Sequence, residues 1–252
     1  MKSPLRDRIE FCSGGALKRL IPEESKVSTF LLYGAAMELS LARSGRVVVA
    51  HTNKYPVYEF WRYLKEDAAG VTAAANEFYP QIDGEMFYFL QQSWATVGNP
   101  CIRSALFFLL NRCSEKGTAS MGKIDKSRFN PVALSYLRNF DGENFYPLWD
   151  DLENPLDALN SQPGMDYIVI PAGRFNFNLF DYGKSRGYDM SVFNHRELHK
   201  RVKEIDTKTL IVYKKHSQLF SMYNDCNIHM VDKYGRFTNK REGAEEMIIA
   251  NF

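Results

Sequence analysis

The sequence predicts an α/β domain on a mostly parallel sheet, with an inserted helical region and a C-terminal hairpin. Three observations predict it. Residues 27–67 run strand, Gly-turn, helix, strand, polar tip, helix, the pattern of parallel strands with crossover helices. Residues 167–170 (YIVI) form an apolar run that breaks at Pro171-Ala172-Gly173, as a buried strand does when it opens onto a crevice. Residues 228–233 and 247–251 read as two final strands flanking a hairpin rich in Gly, Lys and Arg.

Taken in order, Ser13-Gly14-Gly15 precedes a short helical run at 16–21, and a Gly pair there lets backbone N–H groups approach a ligand. The run 27–32 (VSTFLL) reads as a strand, followed by Tyr33-Gly34-Ala35-Ala36 and a helix at 37–43. The clearest strand is 46–50 (RVVVA), ending at His51-Thr52-Asn53, and Pro56 then starts a helix over 57–67. Beyond residue 68 the pattern changes. Helices are predicted over 85–94 and 100–112, the second strongly apolar. A polar basic loop over 111–130 carries Arg112, Lys116, Lys123, Lys126 and Arg128, with Gly117 and Gly122 as breakers. It reads either as a solvated loop or as a flexible arm that meets phosphate. A helix at 132–140 is followed by a linker rich in Asn, Asp and Pro, leading to the strand at 167. After that strand come a helix at 192–205, a strand at 209–213 and a helix at 215–224.

Composition narrows the function classes. The chain has 252 residues, 45% apolar and 25% charged, which fits one globular domain or one with a sizeable insertion. No stretch approaches the ~18 apolar residues of a membrane span, so no membrane partner is expected. The start lacks the apolar core of a secretory signal, and a cytoplasmic setting is expected. Cys12, Cys101, Cys113 and Cys226 are scattered without a CxxC pair and read as free thiols. Net charge is only +2, so any nucleic-acid site must come from local clustering. The 18 Phe, 14 Tyr and 3 Trp read mainly as core, the alternative being that some sit on a base-stacking surface.

Other constellations are weaker. His195 and His199 stand four apart on a predicted helix, but Arg196, Lys200 and Arg201 surround them, and a solvated basic face is expected rather than a metal pair. Ser217 beside His216 has no acidic partner in a recognisable frame. Residues 233–241 (KYGRFTNKR) interleave basic and aromatic residues, which suits phosphate contact with stacking.

In this order the elements resemble the Dam-type (D12 class) N6-adenine DNA methyltransferases over nearly the whole chain. The residues that carry the resemblance are the Gly14-Gly15 segment with Lys18, the run Thr29 to Ala36, the strand ending Ala50-His51-Thr52-Asn53, the apolar helix and arm ending Phe129-Asn130, and the tail Glu245 to Asn251. The resemblance implies a Rossmann-like methyltransferase fold, with residues 1–56 and 134–252 as core and 57–133 as an inserted target-recognition region. It also implies that Gly14, Gly15, Lys18, Tyr33, Gly34 and Thr52 mark a vestigial pocket for the methyl donor S-adenosylmethionine.

The motifs depart from the family where its chemistry lies. The family's Asp-Pro-Pro-Tyr is replaced by Ile170, Pro171, Ala172 and Gly173. Ile170 cannot accept a hydrogen bond from an adenine amino group, and Gly173 cannot stack on a flipped base. Phe175, two residues on, is not expected to take over the ring's part. Leu31 and Thr52 stand at two further acidic positions, and Ala35 and Ala36 at glycine positions. The expectation is a catalytically inactive homologue that has no cofactor and binds DNA or serves as a structural or interaction protein, with a viral source and a host-cytoplasm or virion setting. Arg112, Lys123, Lys126, Arg128, Arg236, Lys240 and Arg241 are the expected phosphate contacts. The alternatives are a non-catalytic subunit beside an intact methyltransferase, a divergent active enzyme, or a purely structural part of a larger assembly.

Overall fold

The computed structural model describes residues 3–7, 9–160, 162–175 and 194–252. The strands are β1 (Lys26–Thr29), β2 (Val47–Thr52), β3 (Phe145–Trp149), β4 (Tyr167–Gly173), β5 (Lys208–Lys214), β6 (Asn227–Asp232) and β7 (Ala244–Ala250). They form one seven-stranded sheet in the order β3-β2-β1-β4-β5-β7-β6. β1 to β5 are mutually parallel, and β7 runs antiparallel between β5 and β6. This is a Rossmann-like α/β sheet with the order reversal beside β1, where such sheets open a crevice at the carboxyl ends of their strands.

Alternation along the central strands sends side chains to two apolar layers. Tyr167 and Val169, Leu210 and Val212, and Ile248 and Ala250 face one layer. Ile168 and Ile170, Ile211 and Tyr213, and Met247 and Ile249 face the other. The first layer is covered by α1 (Gly14–Leu20), α2 (Ala36–Ala42), α3 (Tyr55–Glu66), α4 (Ala68–Phe78) and α6 (Pro100–Cys113). Buried Trp61 and Phe107, from the expected insertion, share this layer with Val27 and Val48 of the sheet. The second layer is covered by α8 (His195–Glu204) and α9 (Ser217–Met222). The helices α5 (Gly84–Ser93) and α7 (Pro131–Arg138) complete the helical region.

Two elements escaped the sequence reading. α4 (AAGVTAAANEF) has little amphipathic signal; its Ala content favours helix, and the Asp67 carboxylate accepts the Gly70 N–H as its cap. β3 lies inside the segment read as a linker, where Pro147 argues against a strand. The register resolves the conflict. Val48 donates its N–H to the Asn144 carbonyl and Asp150 donates to Thr52, so even-numbered residues bond β2. Pro147 is odd-numbered, and its missing N–H falls on the open side of this edge strand. Lys65 covers the Phe145 carbonyl on that same side at 2.5 Å. The edge is therefore blunted against strand addition, although Tyr146, Leu148 and Trp149 are exposed.

The basic loop is also not the free arm that its composition suggests. Ser114 bridges Ile124 and its hydroxyl donates to the Met121 carbonyl, while Thr118, Ala119 and Ser120 are fully buried. No helix among the described residues is long and apolar enough to cross a membrane.

Candidate functional site

The carboxyl ends of the strands are crossed by the chain's own N-terminal segment, described at residues 3–7 and 9–13. At one side the Arg112 guanidinium donates to the carbonyls of Pro4 and Ser3. Arg6 donates to the Ser114 carbonyl at 2.6 Å, and its N–H reaches Asn111 Oδ1 at 2.8 Å. In the middle the Asp7 carboxylate accepts the Gly34 N–H at 2.7 Å. Ile9 lies on Gly173, where an added Cβ would stand 2.8 Å from its Cδ1. At the far side Cys12 and Ser13 donate their N–H groups to Glu246 of β7 at 2.8 and 2.9 Å, and the Ser13 hydroxyl donates to the same carboxylate. Glu246 is fully buried and takes an ion pair from Lys214 at 2.5 Å.

Each residue assigned to the vestigial donor pocket is engaged by the chain itself. A Cβ at Gly14 would stand 3.0 Å from Ser40 Oγ, and one at Gly15 would stand 3.3 Å from the Gly235 carbonyl, so close packing of α1 accounts for the pair. Lys18 is half-buried and its carbonyl accepts from Arg46. Tyr33 accepts the Trp61 indole N–H on its carbonyl, and Asn111 donates to its hydroxyl. At Gly34 a Cβ would fall 2.3 Å from Asp7 Oδ1. Thr52 is buried and its hydroxyl accepts the Lys54 N–H at the entry to α3. Leu31 and Ala35 hold φ of 60° and 54°, the left-handed region that glycine occupies at lower cost.

The electrostatics of this corner are unusual. Asp7 and buried Glu38 both lie at the first turn of α2. Burial pushes the Asp7 carboxyl up to about 6, against the pull of the Gly34 and Ala36 N–H groups. Burial pushes Glu38 up to about 8, and the Asp7 charge adds to this.

At the catalytic position of the resemblance, β4 continues through Gly173 with a bulge between Pro171 and Gly173, instead of breaking at Pro171. Ile170 is fully buried in the layer under α8, and Ala172 is buried beside it. Gly173 has φ 74°. Phe175 is 7% exposed and packs on His195 and His216 at 5.1 Å each, so its ring is core rather than a stacking platform. The rest of the Phe/Asn/Tyr-rich stretch, 176–193, lies outside the described residues.

A pair that sequence reasoning missed stands at the ends of β2 and β3. His51 Nδ1 lies 2.7 Å from Asp150 Oδ2, and the ring stacks on Phe30 at 4.7 Å and 11°. His51 is 5% exposed, and its Nε2 has no hydrogen-bond partner among the described residues. With Nδ1–H given to the carboxylate, Nε2 carries a lone pair that can accept a proton or a hydrogen bond. The polar tip of β2 was the available signal; the contact spans 99 residues and Asp150 gave none of its own.

The predicted phosphate contacts divide. Arg112 is a correction: it is turned inward onto backbone carbonyls, and burial with the nearby Arg6 charge lowers its pKa to about 10. Lys123 and Arg128 are exposed, and Lys126 lies over the Tyr79 ring at 5.0 Å. Arg236, Lys240 and Arg241 are exposed on the hairpin between β6 and β7. That hairpin is clamped onto the N-terminal segment at Gly235, which has φ 75° and where a Cβ would fall 2.4 Å from the Cys12 carbonyl. Gly235→Ala is expected to cost about 2 kcal/mol in thermal unfolding, from the left-handed strain and the clash together. A cost below about 0.5 kcal/mol would show that the clamp is loose.

The His195/His199 pair is a second correction. His195 is buried rather than solvated, its Nδ1 2.9 Å from the Tyr213 hydroxyl, and burial lowers its pKa to about 4. His199 packs edge-on against Tyr223 at 4.7 Å. No metal-binding cluster of His, Cys, Asp or Glu occurs among the described residues.

No protein-family profile matches the chain, and no curated protein matches it. Among solved structures the chain is similar to TehB from Haemophilus influenzae at 12% identity and a TM-score of 0.37. The alignment covers 96% of this chain and 61% of that one.

Proposed function

We propose that this protein is a methyltransferase-like chain that no longer transfers methyl groups and instead binds nucleic acid. One observation carries the first half: the crevice where a donor and a target base would meet is filled by residues 3–13. Asp7 stands in the glycine turn, Ile9 stands on Gly173, and Ile170 replaces an acceptor. The second half is supported by the two basic segments that this strap joins. Arg6 holds the loop bearing Lys123, Lys126 and Arg128, and Cys12 holds the hairpin bearing Arg236, Lys240 and Arg241. The anchors are six positions apart, so the two segments lie at most about 20 Å apart there, within reach of one nucleic acid.

The test has two arms. Calorimetric titration with S-adenosylmethionine is expected to give no heat of binding, while an intact Dam-type enzyme binds. Micromolar binding would overturn the loss of the donor site and call for methyl-transfer assays on DNA. DNA affinity is expected to fall steeply with salt, and neutralising Arg236 or Arg128 is expected to flatten that dependence by roughly one unit of slope.

A second reading, a non-catalytic partner of an intact methyltransferase or of a viral assembly, draws on a different surface. Met86, Tyr88 and Phe89 of α5 and Val132 of α7 are exposed. Co-purification with an active methyltransferase would favour it.

A further inference from the structure

The hairpin between β6 and β7 carries a feature that phosphate binding alone leaves unexplained. Tyr234, at its tip, is 71% exposed, more than any other large apolar side chain among the described residues. Its ring is held out on a rigid turn. The Asp232 carboxylate accepts the N–H groups of both Tyr234 and Arg236, at 2.8 and 2.9 Å. The Asp232 N–H returns to the Arg236 carbonyl, Val231 bridges Phe237, and Gly235 is pressed onto the Cys12 carbonyl. These contacts fix the backbone from which the exposed ring projects.

The surroundings of the ring are cationic. Lys233 Nζ lies 5.0 Å and the Arg236 guanidinium 6.0 Å from its centroid. Phe237, three residues on and packed against His229, is 37% exposed, and Lys240 and Arg241 follow on the same hairpin. None of these four cations makes a salt bridge with a described residue. Arg241 lies over the Phe220 ring at 4.4 Å, and no described carboxylate neutralises the other three. A flat ring among cations without acidic partners matches a ligand that offers an aromatic face next to a phosphate. In a duplex the base faces are covered by their neighbours, so a ring at a tip gains little from it.

Resting on the nucleic-acid reading above, we infer that Tyr234 is a stacking platform for an unpaired base, and that the preferred ligand is single-stranded or locally opened nucleic acid. Lys233, Arg236, Lys240 and Arg241 hold the flanking phosphates.

The experiment is fluorescence anisotropy on the full chain with a labelled oligodeoxythymidylate and with a labelled duplex, across a salt series. Wild type is expected to bind the single strand more tightly. Tyr234→Ala is expected to weaken single-strand binding about tenfold or more, leave duplex binding within about twofold, and leave the salt slope unchanged; Tyr234→Trp restores the affinity. Arg236→Gln is expected instead to lower the slope for both ligands. The site is at an exposed tip, and unchanged melting of each variant checks the fold. Equal weakening of both ligands by Tyr234→Ala, or none, overturns the platform while leaving the nucleic-acid reading standing. Failure of wild type to bind either ligand overturns both. Loss of binding to anionic phospholipid vesicles, with oligonucleotide binding intact, would assign the ring to a membrane surface and also overturn the platform.

Discussion

Replacing Glu246 by alanine is expected to cost about 3–5 kcal/mol in denaturant unfolding, the largest effect of any single truncation considered for this protein. The reason is the number of groups that lose their partner together. The Glu246 carboxylate is fully buried and accepts from the backbone of Cys12 and Ser13, from the Ser13 hydroxyl, and from the Lys214 ammonium. Removing it leaves donors and a half-buried cation unsatisfied, and unmade bonds cost more than made ones contribute. Glu246→Gln keeps the volume and one acceptor oxygen and is expected to recover roughly half the loss. The readout specific to the strap is proteolysis: the alanine variant is expected to be cut within residues 3–13 before the rest of the chain unfolds. A cost under about 1 kcal/mol, with the strap still protected, would mean that the strap is anchored elsewhere.

The second large effect is a pH dependence that runs against the usual acid-denaturation trend. Glu38 titrates near 8 in the folded protein against 4.5 in an open chain, and Asp7 near 6 against 3.8. Between these values the folded state holds more protons than the unfolded one, so stability falls as pH rises. His195 works the other way at lower pH. Its folded value near 4 lies below its ordinary 6.5, so it adds stability as pH rises through that interval. His199 and His229, also lowered by burial, act with His195. The histidine and carboxyl trends oppose each other up to about pH 6.5, and the carboxyl trend dominates above it. From pH 6.5 to 8.5 wild type is expected to lose on the order of 2 kcal/mol, or several degrees of melting temperature. Glu38→Gln is expected to remove most of this slope and to melt above wild type at pH 8.5. A melting temperature that holds level in wild type over that range would show that Glu38 is ionised in the fold, bound by a partner that offsets its burial.

These two sites bear on the same question, since both hold the strap to the sheet. Asp7 and Glu246 are 239 positions apart, and between them they fix the strap to the glycine turn and to β7. The N–H groups of Gly34 and Ala36 in the glycine turn are satisfied within the chain, by the Asp7 carboxylate.

Much of the architecture was legible in local pattern. The runs YIVI and LIVY announce strands because their side chains are buried on both faces of the sheet, and VVVA does so with Val48 and Ala50 buried and Val47 and Val49 half-buried. The motif order that resembles a methyltransferase led to the same sheet as the observed strand order. Ile170, Ala35 and Ala36, which depart from the motifs of the resemblance, could be read directly, because residue type is a property of one position. Local pattern misled where a residue's part depends on distant partners. Arg112 has the composition of a phosphate contact, yet its guanidinium is taken by carbonyls 108 and 109 residues away. His195 sits among basic residues in sequence, yet one helix face turns it onto Tyr213. Pro147 argues against a strand, and only the register shows that its missing N–H lies on the open edge. The sequence by itself thus determined the fold class, because periodicity and residue type act within a few positions. The tertiary structure alone decided what fills the crevice, which cations face outward, and that Tyr234 is held away from the protein, because each of these depends on contacts between segments far apart along the chain.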